Sequence, residues 1–302
     1  MRRATVGPKR MMRTADGSSF QPTRFALDPV GTTLGAWVRG LDIGQSLDGG
    51  VGVELESAWA EWKVLFFADQ RISAAHFADF VGYWGTITDD HLLMTTAKDP
   101  TDNVVTFTRD ATTVGLENGW HSDGTFRRMP TSGTLLGAVE VPPIGGDTLF
   151  ADMAAAFDNL PADVKERLVG LRARHDWSLG GYADKYGDRL EALRLEVPPV
   201  EHPVVIEHPR TGRATLFVNP MFTDRILGLD RKEADELLEL LCHQVTAPEV
   251  QVRLHWKPGT VAFWDNIAVQ HYGVSDYHPQ RRVMTRATFF APQVWDLAPW
   301  RG

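Results

Sequence analysis

The stretch TVAFWDNIAVQHYGVSDYHPQRRVMTRATFF, from Thr260 to Phe290, decides how this chain folds. Lys257-Pro258-Gly259 is a turn signal, and Thr260–Trp264 after it reads as a buried strand. Trp264 to His271 reads as a strand that turns and comes back. Val283–Phe290 alternates, and its β-branched and aromatic residues suit a last strand. His271, Arg282 and Arg286 all lie in this stretch. Arg282 and Arg286 are four residues apart, so a strand would place them on one face, ~13 Å apart.

Outward from this stretch, helices and strands are mixed. Glu54–Lys63 and Ala74–Trp84 carry apolar residues at three- and four-residue spacing. Asp152–Leu171 reads as one long helix or two short ones, with a restart at Pro161. Val204–Ile206 and Ala214–Val218 flank a turn-rich connector and read as a hairpin. Asp230 with Glu233 resembles a capping box opening a helix over Arg231–Gln244. A helix-rich first third followed by strands with helical insertions suits a mainly β, jelly-roll core decorated by helices. A doubly wound fold is disfavoured, since no Gly-rich phosphate loop follows a strand.

Composition narrows the classes. The chain has 302 residues, 43% hydrophobic, with ten Trp and fifteen Phe to fill a large core. Its formal net charge of -8 argues against nucleic acid as a partner, though a basic pocket for a small anion remains compatible with it. The lone Cys242 allows no intramolecular disulfide and fits a reducing cytoplasm; with Leu237, Leu238 and Leu241 around it, it reads as a core thiol. Residues 1–21 are basic, lack an apolar h-region and are expected to form a flexible tail, with 22–302 a single domain. No window approaches ~18 apolar residues, so no membrane partner is expected.

The chemistry starts at Trp120-His121-Ser122-Asp123-Gly124-Thr125-Phe126. On a strand His121 and Asp123 face the same way, and a distant His271 could complete a two-histidine, one-carboxylate set. Such a set holds non-haem Fe(II) on one face and leaves positions open. His-x-Asp arises often by chance; Arg282, a planar cationic fork eleven residues past His271, adds weight to it.

These motifs, with Gly145-Gly146-Asp147-Thr148 and Trp264-Asp265-Asn266, resemble the taurine/2-oxoglutarate-dependent dioxygenases from about Val30 to Phe290. The resemblance implies a double-stranded β-helix with inserted helices. It implies Fe(II) on His121, Asp123 and His271, the distal carboxylate of 2-oxoglutarate on Thr148 and Arg282, and O2 as oxidant. Arg286 would hold an acidic group on the substrate, with Asp90, Glu117, Asn118 and Phe222 around it. An acidic ligand at 123 favours oxygenation over halogenation, which needs a vacancy for chloride. The expected reaction is hydroxylation of a small anionic substrate (a sulfonate, sulfate ester or carboxylic acid), releasing succinate and CO2. The expected assembly is a dimer or tetramer.

Family members that take taurine place a histidine and an asparagine near the substrate amine. Ungapped counting puts Asp90 and Glu117 there, with His91 and Asn118 as near alternatives. Two carboxylates would suit a cationic substrate and open a second reading, a biosynthetic hydroxylase of an amino acid or other amine. Small residues at Gly180-Gly181 would widen the pocket. A third reading, from a different class, is a jelly-roll sensor using metal without catalysis. Asp265 and Asn266 are expected to set the turn before His271, Tyr272 to pack, and Arg281 to face solvent or an interface.

Overall fold

The computed structural model describes residues 20–88, 103–113, 115, 117–179, 181, 186–291 and 297–302. Asp90, His91, Gly180 and most of the N-terminal segment lie outside them. The chain opens with β1 (Ala26–Pro29), β2 (Ala36–Arg39), α1 (Gly49–Trp62), β3 (Val64–Phe67), α2 (Ala74–Trp84) and β4 (Thr86–Ile87). It continues with β5 (Val105–Arg109), β6 (Gly133–Glu140), β7 (Thr148–Asp152), α3 (Met153–Asp158), α4 (Ala162–Leu168) and β8 (Arg172–His175). Then come α5 (Leu190–Glu196), β9 (Val200–Pro203), β10 (Val205–Glu207), β11 (Ala214–Leu216), β12 (Thr223–Ile226) and α6 (Arg231–His243). The last elements are β13 (Gln251–Leu254), β14 (Val261–Asp265), β15 (Val269–Gly273) and β16 (Arg282–Phe290).

The large sheet runs β1-β2-β3-β14-β6-β16-β4, with β5 also paired to β16. A smaller sheet, β13-β7-β15, faces it, and the chain hops between the two: β6 to β7, β13 to β14, β14 to β15, β15 to β16. This repeated crossing is the double-stranded β-helix, or jelly roll.

Side-chain alternation explains what fills it. On β3, Val64 and Phe66 face the smaller sheet while Leu65 and Phe67 face the helices. On β14, Ala262 and Trp264 point inward, and Val261 and Phe263 outward. Between the sheets, Phe150 packs on Phe66 at 5.9 Å and on Trp264 at 5.4 Å between ring centres. Cutting such a ring to Ala costs about 3–5 kcal/mol. A second core lies on the outer face of the large sheet, where α1 and α2 bring Trp59, Trp62, Phe80 and Trp84. A third lies around α3, α4 and α6.

The helices follow their caps. Asp48 accepts from Gly50 N and Val51 N, so α1 begins five residues before the apolar periodicity indicates, in spite of its glycines. Ser73 and His76 form a reciprocal capping box on α2. Asp152–Leu171 is two short helices, the second starting after Pro161. The Val204 to Val218 hairpin is present as β10–β11. Cys242 is half-buried against the third core, which pushes its thiol up to about 12. Among the described residues no helix is long and apolar enough to cross a membrane.

Candidate metal centre and anion clamp

His121 and His271 are joined by a single antiparallel bridge, each backbone N–H donating to the other's carbonyl at 3.1 and 2.8 Å. The sequence suggests a strand carrying both His121 and Asp123. Instead, Asp123 lies in the turn just after the bridge, which Gly124 continues at φ +68. The turn still delivers the carboxylate to the same place. Asp123 Oδ1 lies 3.8 Å from His121 Nε2 and 3.7 Å from His271 Nε2, and the three ligand atoms fall within 4.8 Å of one another. This is the only such cluster among the described residues.

The donors suit a divalent cation. His121 Nδ1 donates to Gly119 O at 2.7 Å, which fixes the tautomer and leaves the Nε2 lone pair facing inward. Burial lowers both imidazoles below the ordinary histidine value, against the pull of Asp123, and takes His271 down to about 3. Both rings therefore favour the neutral form, which a metal ligand needs. Burial would raise Asp123, but Arg286, His271, His121 and the Thr134 hydroxyl together hold it well below the usual carboxylate range.

A chain of hydrogen bonds sets the carboxylate. Thr134 Oγ1 donates to Asp123 Oδ2 at 2.8 Å, Asn266 Nδ2 donates to Thr134 Oγ1 at 2.8 Å, and Trp264 Nε1 donates to Asn266 Oδ1 at 2.8 Å. Asn266 Oδ1 also accepts from Asp123 N at 3.2 Å. Asn266 thus does more than shape a turn. Asp265 does shape one, accepting from Ile267 N and Ala268 N, while His208 donates to its other oxygen at 3.1 Å.

Two arginines of β16 reach the interior. Arg282, Met284 and Arg286 share the inward face, as alternation requires. Arg286 Nη2 lies 2.9 Å from Asp123 Oδ1, at the rim of the triad. Arg282 is buried, with its guanidinium carbon 5.9 Å from the Trp256 ring centre and 5.8 Å from that of Tyr277. Burial lowers its basicity, and Tyr277 and Glu117 pull the other way. Thr148 Oγ1 accepts from Trp256 Nε1 at 2.9 Å, leaving its own proton for an anion. Gly146, at φ +71, lets the loop before Thr148 turn beside Arg282: a Cβ there would sit 3.5 Å from Arg282 Cδ.

The other expected residues divide. Phe222 stands edge-on to His121 at 5.8 Å and belongs to a small apolar wall with Phe126, Trp177, Leu193 and Met221. Glu117 comes into the same region, but as the ion-pair partner of Arg109 on β5. Asn118, the next residue, is exposed. Tyr272 packs on Trp120 at 5.7 Å, and the exposed Arg281 pairs with Glu140. Thr134, Tyr277, Trp256 and Arg109 escape a reading of the sequence, because each matters only through a partner far along the chain.

The profile of the family described as taurine catabolism dioxygenase TauD, TfdA family matches residues 26–288. An alkylsulfatase of Acinetobacter baylyi is 32% identical over 263 residues, 84% of this chain and 81% of that protein. An alpha-ketoglutarate-dependent sulfate ester dioxygenase of Pseudomonas putida is 33% identical over 287 residues, 88% of this chain and 90% of that one. Among solved structures, AAD-2 in complex with Mn(II) and N-oxalylglycine superimposes with a TM-score of 0.78 at 27% identity, covering 88% of this chain and 98% of its own.

Proposed function

The chain belongs to the taurine catabolism dioxygenase TauD, TfdA family, and from that premise we propose that it hydroxylates a small anionic substrate with Fe(II), 2-oxoglutarate and O2. His121, Asp123 and His271 would hold the iron. Thr148 and Arg282 would hold the distal carboxylate of 2-oxoglutarate, and Arg286 the anionic group of a sulfate ester, sulfonate or carboxylic acid. The bound iron supplies oxidative decarboxylation of 2-oxoglutarate to succinate and CO2, coupled to hydroxylation of a substrate C–H bond.

The protein's share is placement. One observation carries the proposal: the Arg286 guanidinium touches the oxygen of Asp123 that faces both imidazoles. An anion held by Arg286 would therefore bring its neighbouring carbons beside the residues that would hold the iron. Phe222 and Phe126 close one side with apolar surface and limit water. Hydroxylation next to an ester oxygen or sulfonate sulfur gives a product that collapses to an aldehyde, with release of sulfate or sulfite. The curated relatives that act on sulfate esters support this class.

An amine substrate loses its main support. Glu117 already has a cation in Arg109, and Asp90 lies outside the described residues. A dimer or tetramer in the cytoplasm belongs to the same proposal, resting on the family resemblance and the lone cysteine.

The test has two parts. Under nitrogen, Fe(II) with 2-oxoglutarate should give a weak visible charge-transfer band. In air, succinate release should rise with alkyl sulfates or sulfonates, and Arg286→Ala should abolish that rise while keeping the band. Turnover with amines alone, or an Arg286→Ala enzyme with full substrate coupling, would sink the proposal.

A further inference from the structure

The inward face of the β5–β16 pair carries one more cation than the two anion seats need. Arg109 and Arg282 are directly opposite each other on these strands, one rung beyond Phe107 and Met284. Cross-strand partners share a face, so both guanidinium groups point into the same end of the sandwich.

Glu117 joins them there. Its carboxylate pairs with Arg109. Its backbone oxygen accepts from Gly273 N at 2.8 Å, and a Cβ on Gly273 would sit 3.2 Å from the Glu117 Cβ. Gly273 is in turn the cross-strand partner of Thr148. The Glu117 backbone thus lies beside the strand rung that carries Thr148. The charge of the Glu117 carboxylate reaches Arg282 and Tyr277, strengthening the base in each. Arg282 Nε has no hydrogen-bond partner among the described residues.

Space is kept for this ion pair. A Cβ on Gly115 would overlap the Glu117 carboxylate and lie 2.8 Å from Arg109 Nε. A glycine there leaves the room that the pair occupies.

A tethered carboxylate beside a guanidinium fork competes with any free carboxylate for it, at high effective concentration. We propose that Arg109 is a positioning residue that holds Glu117 off Arg282, so that the chain's own carboxylate does not take the seat of the cosubstrate's distal carboxylate. The proposal rests on the assignment of Arg282 to that seat. Without Arg109, Glu117 is left half-buried with no cation, and Arg282 is the charge within its reach.

The experiment measures binding rather than turnover. 2-Oxoglutarate is titrated by calorimetry into the Mn(II)-loaded protein, which performs no oxidation. Arg282→Ala should weaken binding roughly a hundredfold, the range for removing one partner of a buried charge pair. Arg109→Ala should weaken it roughly tenfold, and adding Glu117→Gln should restore it to within about threefold, as residues coupled by contact do. Gly115→Ala, which keeps both charges and displaces the carboxylate, should show the same loss and the same rescue. It also decides the matter if Arg109→Ala does not fold. Rescue by Glu117→Gln is the outcome a purely structural role for Arg109 would not give. Unchanged binding in both Arg109→Ala and Gly115→Ala, or losses that Glu117→Gln leaves in place, would overturn the proposal. Wild-type binding in Arg282→Ala would instead remove the assignment beneath it.

Discussion

Among the described residues two pairs of buried histidines pack ring against ring, and only one of them has a carboxylate placed to complete a candidate metal site. His121 and His271 have ring centres 4.2 Å apart; His175 and His202 lie 5.3 Å apart. All four are buried, and burial lowers the basicity of each. The surroundings differ. Asp123 Oδ1 sits within 4 Å of both rings of the first pair. The second pair packs on Phe217, and His202 Nε2 bonds to Arg127 O at 2.9 Å. The carboxylates next to them in sequence are held elsewhere, Asp176 by Ser178 and Arg194 and Glu201 by Arg172. Burial and weak basicity thus mark a well-packed core as readily as an active site. What separates the two is a carboxylate aimed between the rings, with a cation waiting beside it.

The sharpest way to break the comparison is to remove that carboxylate. Asp123→Ala should abolish the anaerobic Fe(II)–2-oxoglutarate band and lower turnover by ~10³-fold or more, since a three-ligand site loses its only anion. His202→Phe should leave the band where it is. A band that shifts in His202→Phe would mean that the second pair also reaches the metal. Next in size, Thr134→Val takes away the hydrogen bond that orients Asp123. Metal affinity should fall by about 10–100-fold, read by competition with a chelator, with the fold unchanged by circular dichroism. His202→Phe itself should cost about 1–2 kcal/mol in denaturant unfolding, from a part-buried carbonyl left without its donor.

The smallest effect is in pH. His175 is held well below the ordinary value of 6.5 by burial and then by His202. The unfolded chain takes up that proton first as pH falls. The contribution of neutral His175 to stability is therefore complete above about 6.5 and is lost as pH drops below it, by up to ~1.4 kcal/mol per pH unit. In metal-free protein His175→Gln should flatten the slope of stability between pH 6.5 and 5. A slope unchanged by the substitution would show that other groups carry it.

The candidate metal site was largely legible in the chain because its residues obey short-range rules. Arg282 and Arg286 share a face by strand period, and His121 and Asp123 are close enough in sequence that bridge and turn serve as well as a strand. The supports were not legible. Trp264, Asn266, Thr134 and Asp123 form a chain only after three segments fold together, and nothing in the spacing of 123, 134 and 266 announces it. Glu117 shows the same limit from the other side. As a letter it is a free acid near the substrate, and in the fold it belongs to Arg109. One helix start escapes the periodicity, that of α1, where the Asp48 cap outweighs the low propensity of three glycines; the starts at Ala74 and Arg231 fall where the sequence puts them. The fold itself was visible as a β-rich pattern, but which strand crosses to which sheet depends on pairings over a hundred residues apart.

The placement of Arg282 and Arg286 on one edge of β16 also limits how this scaffold can change. A strand reverses its face at every residue, so inserting or deleting one position between them would turn one guanidinium out of the cavity. The gap between the two proposed anion seats is in effect a ruler marked only in two-residue steps. Drift in the chain can therefore reshape the wall around Phe222 by small increments, but it cannot slide the seats by small increments. New substrates for such a scaffold are reached through its walls, at a nearly fixed distance between the two charges.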